Sequence, residues 1–316
     1  MKAIINVTTV VTRLEMTGDD VLLVTLSDPD RWELPAFEAG AHLVLFLGNG
    51  MRRAYSLCSD PDDRYHYQIA VKRETNSRGG SAWIHHHLGM GDWVGVSLPR
   101  STMKLHQDKK KHLLIAGGIG ITPMLAFIYQ LERKCLDYEL HYFYRGNPPL
   151  FREVQQAMNH GRLFLYPSSG NAGVKTSVEV IMPALSEDIC LYCCGPERMM
   201  VAYNQAGAAW PTAQLQQEHF SGVTIDDASL PPFTLELRRS GKMVAVAGGQ
   251  TPLQALLEAG VDIDHSCEGG ICGACSVNWC DGKPVHRDKV LSAEERKSRL
   301  ILCVAGCDSE KLVLDL

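Results

Sequence analysis

The chain has 316 residues, of which 45% are hydrophobic and 21% are charged, and its formal net charge is −5. This composition is that of a globular protein and excludes a disordered chain, and the acidic balance gives no support for a nucleic-acid-binding surface. One hydrophobic core rarely serves so long a chain, so two or three domains are expected. No apolar run of about 18 residues is present and the first residues do not form a secretion signal, so we predict a cytoplasmic protein without a membrane span.

The first third of the chain, residues 1–105, shows the period-two alternation of β-strands, punctuated by Gly, Pro, Asp and Asn. Several short strands at this spacing predict an antiparallel barrel or sandwich. The predicted strands are 7–11, 21–26, 42–47, 65–71 and 93–98.

Two short segments of this region carry groups that suit a phosphorylated ring compound. Arg53, Tyr55 and Ser56 follow a predicted strand. A guanidinium can pair with a phosphate, a phenol can stack on a flat ring, and a hydroxyl can bond a ring nitrogen. The Arg-Gly-Gly-Ser segment at residues 78–81 can supply backbone N–H groups to an anion. Each segment alone is equally consistent with a surface arginine and a core tyrosine.

From about residue 110 compact apolar strands alternate with helical periodicity, which is typical of a parallel, doubly wound sheet. The predicted strands are 111–116, 140–144, 163–166 and 189–194, and the predicted helices are 122–134, 151–158 and 196–209. Two strand-to-helix turns, at residues 117–123 and 194–196, are rich in glycine and proline. Because such turns lie together at the carboxyl ends of parallel strands and helix N-termini attract phosphate, we predict a nucleotide-binding crevice there.

The last part of the chain begins after an aperiodic segment, residues 223–232, which we interpret as a linker. A hairpin is predicted over 233–237 and 243–246, a helix over 251–259 and a final strand over 311–316. The region between this helix and this strand is rich in cysteine.

The cysteines of this region have the spacing of a plant-type [2Fe–2S] cluster. Cys267, Cys272 and Cys275 form C-x4-C-x2-C, and Cys303 follows further along the chain. Glycines within the loop allow backbone N–H groups to approach sulfur. A zinc site fits less well because zinc sites more often show two C-x2-C pairs. Cys307 is a rival for the fourth ligand position, and we favour Cys303 because it follows the apolar run 300–302.

In their order and spacing these motifs resemble the phthalate dioxygenase reductase family, and the resemblance spans the whole chain. That family joins a ferredoxin-reductase-like flavin barrel, an NAD-binding domain and a C-terminal plant-type ferredoxin domain of the β-grasp type. For this chain the resemblance implies an FMN-binding barrel over 1–105, an NAD-binding α/β domain over 106–222, a linker over 223–232 and a [2Fe–2S] ferredoxin domain over 233–316.

The resemblance also implies the residues of a flavin site. Arg53 with Gly80 and Ser81 would hold a single phosphate, which favours FMN over FAD. Ser56 would address the N5 edge of the ring, and Phe220 would cover the ring unless it is an ordinary core phenylalanine. The implied flavin residues are Arg53, Ala54, Tyr55, Ser56, Val71, Lys72, Gly80, Ser81 and Phe220.

The implied nucleotide site uses both glycine-rich turns. Gly118, Gly120 and Thr122 would lie under the diphosphate, and Cys194 with Gly195 would lie beside the nicotinamide. Ser56, Cys194 and Phe220 are therefore the predicted catalytic residues. Arg145 could pair with the 2′-phosphate of NADP, with a diphosphate or with solvent. The resemblance favours NADH as the donor.

These cofactors predict an electron-transfer enzyme. NADH gives two electrons as hydride and an iron–sulfur cluster takes one at a time, so a flavin must act between them. The resemblance implies a terminal Rieske-type oxygenase as the acceptor. Another acceptor, such as a non-Rieske hydroxylase or demethylase, is the first alternative, and a redox-sensing regulator is the second.

Overall fold

The computed structural model describes residues 6–75, 79–168, 176–223, 225 and 230–316. Two units, Met1–Phe220 and Ser221–Leu316, are separated by the pattern of contacts along the chain. Within the described ranges no helix combines the length and the apolar character that crossing a bilayer requires. Arg78, one of the residues quoted for the predicted anion-binding segment, lies outside the described ranges.

The first unit begins with an antiparallel sheet whose strand order, along the path β4-β3-β6-β1-β2-β5, brings its two ends together. Leu57, just after β4, forms a bridge to Ile69 in β5, and the Cys58 N–H donates to the Gln68 carbonyl at 2.8 Å. The sheet is therefore a barrel rather than a sandwich. Its strands are β1 (Asn6–Thr17), β2 (Val21–Ser27), β3 (Ala41–Phe46), β4 (Arg52–Ser56), β5 (His66–Lys72), β6 (Trp93–Ser97) and, paired with β3, β7 (Arg100–Ser101).

Two elements of the barrel region differ from the sequence prediction. Arg53 to Ser56 do not follow a strand but form β4, paired with β3 so that Tyr55 faces Leu43 across the ladder. The segment predicted as an anion-binding loop leads into helix α1 (Gly80–His87), which Gly79 precedes with a positive φ of 91°. Three consecutive histidines at the end of α1 gave no helical periodicity from which the helix could be predicted.

A five-stranded parallel sheet follows, in the order β10-β9-β8-β11-β12. Separate hydrophobic cores cover its two faces, as expected for a doubly wound sheet. The polar sequence of β12 gave no strand signal, and its pairing with β11 defines it. The strands are β8 (Lys111–Gly117), β9 (Asp137–Tyr144), β10 (Arg162–Pro167), β11 (Ile189–Cys194) and β12 (Leu215–Glu218), and the helices are α2 (Ile121–Arg133), α3 (Phe151–Ala157), α4 (Val178–Ile181) and α5 (Glu197–Ala206).

The second unit contains a mixed sheet in the order β14-β13-β19-β15-β17, in which β13 and β19 are parallel. Helix α6 packs on this sheet and begins with a capping box between Thr251 and Gln254. Val223 and Ile225, from the predicted linker, pack against the same core. The elements are β13 (Phe233–Leu237), β14 (Lys242–Val246), α6 (Pro252–Glu258), β15 (Ser276–Asp281), β16 (Pro284–Val285), β17 (Arg299–Ile301), β18 (Gly306–Cys307) and β19 (Lys311–Leu314).

Candidate functional site

The loop between α6 and β15 brings four buried cysteines together. The thiol of Cys267 is hydrogen-bonded to the thiols of Cys272 and Cys303, and Cys303 interacts in the same way with Cys275. All four side chains are shielded from solvent. The pKa of Cys267 is held well below its usual value because its thiolate accepts these hydrogen bonds and others from backbone N–H groups. The loop therefore already favours a thiolate.

Glycines give the loop its path around the sulfurs. The N–H groups of Gly269 and Ile271 point at Cys267 Sγ, at 3.4 and 3.5 Å. Gly270 has a φ of +70°, and a Cβ there would lie 2.7 Å from Val304 Cγ2, so only glycine fits without a shift. Converging thiols with N–H donors suit a [2Fe–2S] cluster, since such donors stabilise negative charge on sulfur.

The structure separates the two candidates for the fourth ligand position. Cys303 follows β17, and the Leu302 N–H donates to the Cys275 carbonyl at 3.2 Å, which brings the two cysteines together. Cys307 lies in β18 with its sulfur 3.1 Å from Ser309 Oγ. In the described ranges no three His, Cys, Asp or Glu side chains surround the position of a single metal ion. The contacts of the loop thiols instead run in the order Cys272, Cys267, Cys303 and Cys275.

In the barrel, Arg53 lies beside the first turn of α1. A Cβ at Gly80 would be 2.6 Å from Arg53 Cγ, so the arginine side chain passes directly over this glycine. Ser81 is buried, and its hydroxyl accepts a hydrogen bond from the Glu74 N–H at 3.3 Å. A guanidinium next to a helix N-terminus is an arrangement that suits a phosphate group.

The other predicted flavin residues of the barrel lie in strands β4 and β5. Tyr55 is half-buried in β4, and burial raises the pKa of its phenol. Ala54 pairs with Val44 in β3. In β5 the Val71 carbonyl accepts a hydrogen bond from His85 Nε2 of α1 at 2.8 Å, and Lys72 Nζ lies 3.4 Å from Glu74 Oε1. Helix α1 is thus tied to the strand that carries two of the predicted residues.

Two predicted catalytic residues meet at a buried carboxyl, Glu218. The Ser56 hydroxyl donates to Glu218 Oε2 at 3.0 Å, and Thr102 supplies a further hydrogen bond. Glu218 ends β12, where it is the ladder partner of Cys194 in β11. Burial raises the pKa of Glu218 to about 8, against the effect of these hydrogen bonds. Burial, and then the charge of Glu218, also raise the pKa of the Cys194 thiol.

Sequence reasoning missed Glu218 as a site residue. The only local signal was its position two residues before Phe220, and β12 has no alternation that would place the carboxyl on a known face. The contact between the carboxyl and Ser56 is a long-range one, between a residue of the barrel and a residue of the parallel sheet.

The two glycine-rich turns of the parallel sheet touch each other. After β8, a 3-10 turn over Gly118–Gly120 leads into α2, and a Cβ at Gly120 would lie only 2.1 Å from the Cys194 carbonyl oxygen. A Cβ at Gly195 would be 2.5 Å from Met199 Sδ. The Thr122 hydroxyl donates to the Ile119 carbonyl at 3.0 Å and so fixes the turn. Together the turns form the carboxyl-end edge at which such sheets bind nucleotides.

Two predicted residues lie at the surface of the first unit. Arg145 is exposed just after β9. Phe220, the last residue of the unit, is 36% exposed and so is not fully buried in a core.

Comparison with known proteins identifies the family. Residues 235–307 match the sequence model of the 2Fe-2S iron-sulfur cluster binding domain. The chain is 34% identical to the solved structure of phthalate dioxygenase reductase, described as modular for electron transfer from pyridine nucleotides to [2Fe–2S]. The match has a TM-score of 0.74 and covers 98% of both chains. The chain belongs to the phthalate dioxygenase reductase family.

Other proteins similar to this reductase extend the comparison. It is 39% identical to the heme-dependent oxidative N-demethylase beta subunit of Ectopseudomonas mendocina, over 90% of each chain. It is 38% identical to an intact type IV self-sufficient cytochrome P450 monooxygenase, with a TM-score of 0.87. That match covers 98% of the reductase but only 41% of the P450 chain.

Family membership confirms the predicted fold class, with its flavin-type barrel, parallel sheet and C-terminal ferredoxin-like domain. It also confirms the enzyme class, an electron-transfer oxidoreductase that uses a flavin, NADH and a [2Fe–2S] cluster. The roles of individual residues stay predictions.

Proposed function

We propose that this reductase carries electrons from NADH through FMN and a [2Fe–2S] cluster to a separate Rieske-type oxygenase. The observation that carries the proposal is the group of four buried cysteine thiols within a cluster-binding domain, joined by hydrogen bonds in the order Cys272, Cys267, Cys303 and Cys275. When bound, NADH supplies a hydride, the flavin converts the electron pair into single electrons, and the cluster relays them one at a time. The domain limits 1–105, 106–222 and 233–316 are part of this proposal.

In the first unit the protein's task is to bind and orient. Arg53 and the first turn of α1, at Gly80 and Ser81, would hold the FMN phosphate. The turn at Gly118 and Gly120, which is open at Gly118, would receive the diphosphate of the dinucleotide. A single-phosphate pocket of this kind is the reason for proposing FMN rather than FAD.

The buried group of Ser56, Cys194 and Glu218 would fix the positions of protons beside the reacting rings. Ser56 keeps its hydroxyl directed at Glu218 Oε2, so the orientation of the hydroxyl is fixed. Cys194 keeps its proton on Sγ at neutral pH because its pKa is raised. A neutral thiol there presents no negative charge to an incoming nicotinamide. Phe220, exposed in this structure, would cover the flavin ring.

In the second unit Cys267, Cys272, Cys275 and Cys303 would supply the four thiolates of the cluster. Loop N–H groups already donate to Cys267 Sγ, which lowers the cost of concentrating negative charge in a buried site.

Anaerobic titration with NADH tests the internal electron path. We expect the flavin band to bleach and the cluster bands to follow, with FMN recovered from the denatured protein. Recovery of FAD would contradict the cofactor choice. Cluster bands that stay oxidised after the flavin is reduced would contradict the path.

A second candidate acceptor is a heme-dependent oxygenase, favoured by the 39% identity to the heme-dependent demethylase subunit. The two acceptors are distinguished by mixing the NADH-reduced protein in stopped flow with a Rieske-type oxygenase and with a heme-dependent oxygenase. The proposal predicts faster reduction of the Rieske centre. Faster heme reduction would assign the reductase to the second class.

A further inference from the structure

Two serines beside predicted cluster ligands have buried hydroxyls for which the described residues offer no hydrogen-bond partner. Ser266 directly precedes Cys267 and is 1% exposed. Ser276 directly follows Cys275 at the start of β15, and its Oγ is likewise buried. A buried hydroxyl without a hydrogen-bond partner destabilises the folded protein. Such a cost at two positions of one site indicates that an acceptor belongs there.

Other hydroxyls of the same unit have partners within the chain. Ser309 Oγ donates to the Lys311 carbonyl at 2.8 Å, and Ser292 Oγ lies 2.9 Å from Glu295 Oε2. The backbone of Ser276 is also satisfied, since its N–H donates to the Gly273 carbonyl. Among the described residues of this unit, the buried hydroxyls without a hydrogen-bond partner are therefore those of the two serines that flank the cysteines, while His286 Nδ1 and Arg296 Nε are buried nitrogen atoms without one. The missing acceptor is one that the cluster itself would bring.

We propose that the hydroxyls of Ser266 and Ser276 donate hydrogen bonds to sulfur atoms of the bound cluster, either sulfides or cysteine thiolates. This inference rests on the cluster binding of the proposed function and adds two positioning residues to it. Sulfur becomes more negative when the cluster takes up an electron, so each donor stabilises the reduced form more than the oxidised form. Both serines would then raise the reduction potential.

The test compares Ser266→Ala and Ser276→Ala with the full-length wild type. The potential is measured anaerobically with dithionite and redox dyes by following the cluster absorption, so neither NADH nor a partner protein is involved. We expect each loss of a hydroxyl to shift the one-electron equilibrium about three- to tenfold toward the oxidised cluster. At 59 mV per tenfold this makes the potential ~30–60 mV more negative.

Two further variants serve as controls. Ser309→Ala removes a hydroxyl of the same unit whose acceptor is a backbone carbonyl, and the potential is expected to stay unchanged. Ser266→Thr keeps a hydroxyl, and its potential should lie nearer to the wild type than that of Ser266→Ala. Fe–S stretching bands in resonance Raman spectra provide a second readout. Their shift in D2O should be smaller in the two alanine variants than in Ser309→Ala.

Iron and acid-labile sulfide are counted first, so that two failures can be told apart. Wild-type protein without stoichiometric iron and sulfide would refute the cluster and with it the proposed function. Fully loaded alanine variants with the wild-type potential and D2O shift would overturn only the present inference. If Ser266→Ala does not retain the cluster, Ser276→Ala decides the outcome. An unchanged potential there overturns the inference, and a more negative one supports it.

Discussion

The cysteine loop of the second unit brings together residues that are close in the sequence. The buried group of Ser56, Cys194 and Glu218 in the first unit brings together residues that are far apart in the sequence. Three of the predicted cluster ligands come from one short loop, from Cys267 to Cys275, so their spacing in the sequence already shows their chemistry. Ser56, in the barrel, and Glu218, in the parallel sheet, are 162 positions apart and are joined by a side-chain hydrogen bond. A site built locally can be recognised from spacing, whereas a site built from long-range contacts has to be seen in the structure.

The contrast also implies that each site can be damaged without the other, and the largest expected effect comes from the loop. Cys272→Ser removes a ligand from the group of four thiols, so delivery of electrons to a one-electron protein acceptor should fall to background. NADH-dependent reduction of the flavin should be largely unchanged because the residues predicted to bind the flavin and NADH lie in the first unit. Stopped-flow absorption at the flavin and cluster bands measures both steps.

Cys307→Ser is the matched control for this variant. Cys307 is buried in the same unit, but its sulfur contacts Ser309 rather than the other loop thiols. Iron content and electron delivery should therefore match the wild type. Equal loss of flavin reduction and electron delivery in Cys272→Ser would refute the separation of the two sites.

The next largest effect is expected from a substitution in the first unit, in the turn after β8. Gly120→Ala would place a Cβ 2.1 Å from the Cys194 carbonyl oxygen, and backbone on both sides must move to relieve the overlap. We expect the free energy of unfolding of the first unit to fall by about 3 kcal/mol, as for an overpacked core. Urea denaturation and NADH-dependent flavin reduction both report the damage, while the iron content should stay at the wild-type level.

Gly118→Ala is the matched control for Gly120→Ala within the same turn. Gly118 has a φ of +54°, but no atom lies within 4 Å of a Cβ built there. The substitution therefore introduces backbone strain without a clash, and we expect a cost of about 1 kcal/mol. Equal losses of stability in the two variants would show that the contact with Cys194 does not matter.

The same contrast explains how much of the molecule could be predicted. Periodicity predicted the parallel sheet, the C-terminal hairpin and an antiparallel barrel or sandwich, and spacing predicted the four cluster cysteines, whereas the choice of a barrel needed the structure. Strand β12 could not be predicted because Gln216 and Gln217 break the apolar pattern and only pairing with β11 defines it. Glu218, at the end of this strand, was missed for the same reason. Helix α1 was not predicted because its three consecutive histidines give no apolar residues at helical spacing.

A further prediction concerns Glu218 itself and is a dependence of the stability on pH. Its pKa is raised from 4.5 to about 8, so between these values the folded protein holds a proton that the unfolded chain has released. Stability from this group is therefore complete below pH 4.5 and is lost as the pH rises through 8, with a slope of at most ~1.4 kcal/mol per pH unit. Glu218→Gln removes the titration and should flatten this part of the profile.

Urea denaturation of the flavin-loaded protein at pH 5, 6, 7 and 8 measures the difference. The free energy of unfolding of Glu218→Gln, minus that of the wild type, should increase steadily across this range. Glu38→Gln, which removes an exposed carboxyl of the same unit, is measured alongside as the control for the loss of a carboxyl. Parallel profiles for the wild type and Glu218→Gln would mean that Glu218 is ionised in the folded protein throughout. Its hydrogen bonds from Ser56 and Thr102 would then outweigh its burial, and the carboxyl would hold a fixed negative charge beside Cys194.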